Sequence, residues 1–172
     1  MKHAYFLSPS GPGAGLTTVA LGVARALQRR GVSVAFFKPI AQPHPDDDER
    51  ERSDVYAEVA LNQPRSESMT LEEAEVYYRQ GRVQELMERV IALYDRATEG
   101  FDVVILEGLV THEGDHAAAR LNEAMARTLG ADVILVDPFC EYDLQTVQER
   151  LHSAGEVYGG LTSERVVGYI LN

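Results

Sequence analysis

"SPSGPGAGLTT", Ser8 to Thr18, follows the apolar run Ala4 to Leu7, and its reading decides the fold. Glycines at 11, 13 and 15 allow backbone N–H groups to converge on one point, and the start of a helix adds positive partial charge there. The layout is that of a phosphate-binding loop between a strand and a helix, G-x-x-x-x-G-K-[ST]. There are two departures: Ser10 stands for the first glycine and Leu16 for the lysine. A charge-assisted hydrogen bond contributes about 1.5–3 kcal/mol, so losing one weakens anion binding by about one or two powers of ten. Phosphoryl transfer loses more, because that lysine stabilises charge developing on the moving group. The segment reads either as an anion cradle built from Ser10, Gly11, Gly13, Gly15, Thr17 and Thr18, or as a tight turn that needs glycine only for its geometry.

Outward from the loop, strand-like and helix-like periodicities alternate. His3 to Ser8 forms the strand that enters the loop. "LTTVALGVARALQRRG" repeats apolar residues at helical spacing and stops at Arg29, Arg30 and Gly31, basic residues followed by glycine. "VSVAFFKPI" is a buried strand reaching Lys38, and Ala41 to Arg52 is a polar, acidic surface loop. "SDVYAEVALN" is a short helix with Ser53 or Asp54 as its cap, and Thr70-x-x-Glu73 is a capping box opening the next. "RVQELMERVIALYDRATEG" is an amphipathic helix closed by Gly100. "FDVVILEGL" and "ADVILVDP" are strands separated by a helix over 116–129. A helix over 143–158 and the strand "RVVGYILN" complete the series. Continuous apolar strands alternating with helices predict an α/β protein with a parallel sheet and helices on both faces. The final strand ends with the chain, from which a single domain over 1–172, belonging to a longer polypeptide, is expected.

The chain has 172 residues, of which 45% are apolar and a quarter charged, a globular composition. A net charge of −11 argues against a general grip on nucleic acid or an anionic membrane. Cys140 is the lone cysteine, which rules out an intrachain disulfide and a CxxC metal motif. No leader pattern or membrane-length apolar run is present, so a cytoplasmic protein is expected.

Ligands of parallel α/β sheets bind beyond the carboxyl ends of the strands, where three further residues fall. Lys38 ends the second strand and either supplies the missing cation across the cleft or pairs with a nearby acid. Glu107, at a strand end before Gly108, is a candidate Mg²⁺ holder. Asp54 is either a helix cap or a metal ligand. His112 and His116 lack an obvious third ligand, and Asp46, Asp47 and Asp48 read as solvated loop charges.

Taken together, "GPGAGLTTVALGVARALQRRGVSVAFFKPIAQP", "VVILEGLV", "LNEAMARTLGADVILV" and "VVGYILN" resemble a dethiobiotin synthetase-like P-loop domain. More narrowly, the chain is similar to the N-terminal domain of long bacterial phosphate acetyltransferases, in which leucine-threonine also follows the loop. The resemblance implies a P-loop NTPase-like fold and a non-catalytic, regulatory and assembly role. The transfer of acetyl groups between coenzyme A and phosphate would then belong to a C-terminal acyltransferase domain of the same chain, in a homo-oligomer. It also implies phosphate contacts from Gly11, Gly13, Gly15 and Thr17, a substrate or phosphate contact from Lys38, and Mg²⁺ at Thr17, Asp54 and Glu107, with ATP as the nucleotide. The alternative is an ATP-dependent ligase resembling dethiobiotin or cobyrinic acid a,c-diamide synthetase.

Overall fold

The computed structural model describes residues 2–42, 53–111, 116–139 and 144–172. Within them, five strands form one sheet in the order β2-β5-β1-β6-β7: β1 (His3–Pro9), β2 (Val34–Phe37), β5 (Val103–Glu107), β6 (Asp132–Asp137) and β7 (Val166–Leu171). Every pairing is parallel, and β1 lies at the centre, with Leu7 opposite Glu107 of β5 and Ile134 of β6. A two-residue ladder missed by the periodicity joins β3 (Ile40–Ala41) to β4 (Met69–Thr70).

Alternate strand residues feed two apolar clusters, one per face, as a parallel sheet covered on both sides requires. Leu7, Phe36, Ile105 and Val136 pack against α1 (Leu16–Gln28) and α2 (Ser53–Leu61). Phe6, Phe37, Leu106 and Leu135 pack against α4 (Val83–Ala97), α5 (His116–Thr128) and α6 (Leu144–Glu156). Ala74 of α3 (Leu71–Arg79) joins the second cluster. Helices thus lie on both faces.

Local signals in the sequence match local structure. The Thr70 capping box is present, with Thr70 accepting from the Glu73 N–H and Glu73 returning to the Thr70 N–H. Gly31 and Gly100 sit at positive φ after their helices, where a left-handed residue closes the last turn. Ser53 and Asp54 are the first two residues of α2 as described, with Asp54 Oδ1 accepting from the Val55 N–H. Among the described residues no helix is long and apolar enough to cross a membrane. Asp46, Asp47, Asp48, His112 and Cys140 lie outside the described residues.

Three carboxamides bind backbone as a neighbouring strand would. Gln63 accepts from the Phe36 N–H at 2.7 Å and donates to the Phe36 carbonyl at 2.6 Å, closing the outer side of β2. Asn122 does the same to Leu109 (2.8 and 2.9 Å) and Gln42 to Val110 (2.8 and 3.1 Å). The last two fix the chain immediately after β5 and thereby anchor Glu107. Gly108 permits this close packing: a Cβ there would fall 2.9 Å from the Phe6 ring and 3.0 Å from the Leu7 carbonyl oxygen.

Candidate functional site

The glycine loop leaves β1 at the centre of the sheet and enters α1 at its carboxyl edge. Gly15, at φ 64, is the residue before the helix, and no side chain caps that start. No acid occupies the first turn of α1. A helix of 13 residues whose first N–H groups meet neither a capping side chain nor an acid presents positive potential to an incoming anion.

The loop is braced from three sides. Ser10, the departure from glycine, donates its hydroxyl to Asp137 Oδ2 at the end of β6 and its N–H to the Val136 carbonyl. Asp137 is fully buried and receives a bidentate guanidinium from Arg150 of α6, at 3.0 and 2.7 Å. Asn172, just past β7, donates from Nδ2 to the Ala14 carbonyl at 3.1 Å. A Cβ on Gly15 would displace that Asn172 amide, and the positive φ of 64 favours glycine there. Thr17, bonded to Glu107, is the third brace.

Leu16, in the position of the usual lysine, is buried in the apolar cluster that also holds Leu7, Ala14, Ala20 and Val136. It closes the apolar cluster beneath the loop. Beside it, four polar groups meet: Glu107 Oε1 accepts from Thr17 Oγ1 at 3.0 Å, Ser53 Oγ at 3.0 Å and Lys38 Nζ at 2.9 Å, and the two hydroxyls lie 3.2 Å apart. Lys38, Ser53 and Glu107 are 5%, 2% and 2% exposed. Of the two roles open to Lys38 from its place in the chain, pairing with an acid is the geometry found.

The fit of these residues to Mg²⁺ follows from that pairing. The Thr17 hydroxyl and the Glu107 carboxylate are the groups a P-loop site would turn to the ion, yet the Lys38 ammonium already occupies the same carboxylate oxygen. Among the described residues no group of three or more His, Cys, Asp or Glu side chains is placed to hold a metal. Among the described residues, that carboxylate oxygen is taken by an ammonium and two hydroxyls.

Of the residues singled out by sequence, Thr17, Lys38 and Glu107 converge. Ser10, Gly11, Gly13 and Gly15 form the adjoining loop, Thr18 is exposed on α1, and Asp54 lies at the next helix start. Ser53, Asp137, Arg150 and Asn172 carry no mark in the sequence as ligand or bracing residues. Ser53 reads there as a cap candidate, and the remaining three act over long sequence separations.

On the opposite side of the Ser8–Ser10 segment lies a polar cleft of about 230 Å³ between α5 and α6, bordered by Ser8, His116, Asn122, Ser153 and Tyr158. The Tyr158 hydroxyl donates to Ser8 Oγ at 2.9 Å, and burial pushes its pKa well above the ordinary tyrosine range.

Residues 3–172 match the family model described as an AAA domain. The chain is 39% identical over 170 residues to a phosphate acetyltransferase of Pseudomonas aeruginosa, covering 99% of this chain and 24% of that one. It is 38% identical to the phosphate acetyltransferase of Deinococcus radiodurans, covering 97% and 24%, and 31% identical to that of Escherichia coli K12, covering 100% and 24%. The chain spans about a quarter of the length of these curated relatives. A DUF1611 family protein from Anabaena variabilis superposes with TM-score 0.63 at 15% identity, covering 99% of this chain and 46% of that one. The cell division protein FtsY of Thermotoga maritima superposes with TM-score 0.56 at 18% identity, covering 99% and 52%. The fold is a P-loop NTPase-like parallel α/β sheet.

Proposed function

The chain belongs to the AAA domain family, and from that premise we propose that it is a non-catalytic regulatory and assembly domain of a phosphate acetyltransferase whose glycine loop takes a small oxyanion effector. The observation that carries this reading is the exchange of charges around the loop. Leu16 has gone into the apolar cluster, and Lys38, the cation nearest in role, is held by Glu107. A loop in this state keeps backbone donors for an anion and lacks the mobile charge that stabilises a moving phosphoryl group.

The acetyl transfer between coenzyme A and phosphate then resides in an acyltransferase domain elsewhere in a longer, cytoplasmic chain. Residues 1–172 form one domain of it, and assembly into a homo-oligomer is part of its role. Thr17, with Gly11, Gly13 and Gly15, contributes the effector's phosphate contacts in this reading. The ATP-dependent ligase alternative needs the charge that Leu16 removes.

Rates of acetyl phosphate formation test the proposal, measured for the full-length protein and for a version lacking residues 1–172. Acetyl transfer is expected to survive the deletion while the response to phosphate-bearing effectors is lost. Turnover of MgATP above background with a diamine or carboxylate acceptor would overturn the reading in favour of the ligase.

A further inference from the structure

A P-loop site that uses Mg²⁺ holds the ion with the hydroxyl that opens the helix and with a carboxylate at a neighbouring strand end. In this chain those two groups, Thr17 and Glu107, share a hydrogen bond of 3.0 Å, and Ser53 donates to the same carboxylate oxygen at 3.0 Å. Lys38 Nζ lies 2.9 Å from that oxygen. Mg²⁺ binds oxygen at about 2.0–2.1 Å, so an ion on Glu107 Oε1 would stand within about 5 Å of the ammonium. With Lys38, Ser53 and Glu107 all nearly inaccessible, little solvent would screen that repulsion.

The lysine is placed there by backbone rather than by its own flexibility. Lys38 follows directly on β2, its carbonyl accepts from Ser68 Oγ at 2.7 Å, and the Pro39 carbonyl accepts from the Met69 N–H. The β3–β4 ladder begins at the next residue. The ammonium therefore has a fixed root on both sides of Lys38, and a compact point charge with three donors suits a shared carboxylate and hydroxyl cluster.

We propose that Lys38 is the resident cation of this site and excludes a divalent metal, so that the anion reaching the glycine loop binds in its metal-free form. The exclusion of metal stands on the side-chain geometry alone, whereas the metal-free anion rests on the oxyanion effector reading.

Mn²⁺ serves as the probe, titrated into the full chain after chelator treatment. Bound ion is counted by electron paramagnetic resonance and located by broadening of the Thr17 and Ser53 amide resonances. The natural chain is expected to show no site there below about 1 mM, while Lys38→Met gains one at least about ten-fold tighter. The double variant Lys38→Met with Glu107→Gln should lose it again. Occupancy of the natural chain with broadening at Thr17 and Ser53 would overturn the proposal, as would the absence of any gain in Lys38→Met. Should that variant fail to fold, Lys38→Gln keeps a donor toward Glu107 and removes the charge; the gain is expected there, and its absence is equally decisive.

A second arm compares binding of inorganic phosphate and of ADP in chelator and in MgCl₂. Equal affinities are expected, and a strengthening by Mg²⁺ of about ten-fold or more would sink the metal-free mode of binding. Failure to bind either anion would remove the effector reading while leaving the Mn²⁺ result to decide the role of Lys38.

Discussion

At the β2 edge of the sheet the outward N–H and C=O of Phe36 are both taken by the Gln63 carboxamide, and all four residues of that strand are buried. At the β7 edge, Val167, Tyr169 and Leu171 stand 52%, 61% and 42% exposed, with Phe139 and Leu144 exposed nearby in sequence to β6 and α6. The strand from Val166 to Leu171 contains no charge and no proline, the two devices that ordinarily keep an edge from pairing. Its one irregularity is a register shift opposite Val133 and Ile134. One edge is finished within this chain by a single side chain, and the other is apolar and presented outward. The difference teaches that, among the described residues, a side chain closes the sheet on the β2 side, while the β7 side leaves alternate apolar side chains exposed.

Removing the closure should have the largest effect. Gln63→Leu leaves two buried backbone groups of Phe36 without partners, at about 1–3 kcal/mol each. A loss of about 2–5 kcal/mol in urea denaturation is expected, and a loss under about 1 kcal/mol would mean that the β2 edge is sealed by something else. Gln63→Glu should do no better, because it removes the donor and buries a charge.

Next in size is the tie between the turn after α6, which leads toward β7, and the central strand. Tyr158→Phe removes the bond to Ser8 and should cost about 1 kcal/mol at neutral pH. The same bond carries a pH signature. Burial holds the folded-state pKa of Tyr158 above its unfolded value, so above about pH 10 the unfolded chain binds fewer protons than the folded one. Stability then falls as pH rises, by up to about 1.4 kcal/mol per unit for this group, and below that pH the group adds no slope. Urea midpoints at pH 7 and pH 11 should show the alkaline decline reduced in Tyr158→Phe. An unchanged decline would assign it to other tyrosines.

The smallest change in stability, about 0.5 kcal/mol or less, is expected for Tyr169→Lys on the open edge. Its effect should fall on association instead. Sedimentation across a wide concentration range should show self-association of the natural chain that the lysine abolishes. A natural chain that stays monomeric throughout would count against pairing of copies at β7.

Much of the fold was legible because its determinants are local. The glycine loop, the Thr70 box and the helix-closing Gly31 and Gly100 each lie within a few residues of what they control, and the apolar strands announce a doubly covered sheet. That Thr17, Lys38 and Glu107 would fall at one end of the sheet was legible because all three belong to strand ends or the loop of a parallel sheet. The chain order leaves Lys38 two roles, a cation across the cleft or a partner of a nearby acid, because only the order β2-β5-β1 brings it beside Glu107. Gln63, Gln42 and Asn122 carry no local mark at all. Their backbone partners lie 27, 68 and 13 residues away, and a lone amide in a helix or loop looks the same whether or not it completes a ladder.

Those three carboxamides also set the terms on which the protein can vary and age. A primary amide presents one donor and one acceptor in the arrangement of a peptide unit, which a carboxylate of nearly the same shape does not. Substitution at Gln42, Gln63 and Asn122 is thus filtered by chemistry before size, with Glu and Asp among the poorest replacements despite being the nearest in volume. Slow hydrolysis of side-chain amides, harmless on most surfaces, would at these positions be read directly as a loss of backbone pairing, at the sheet's closed edge and beside the residues that hold Glu107.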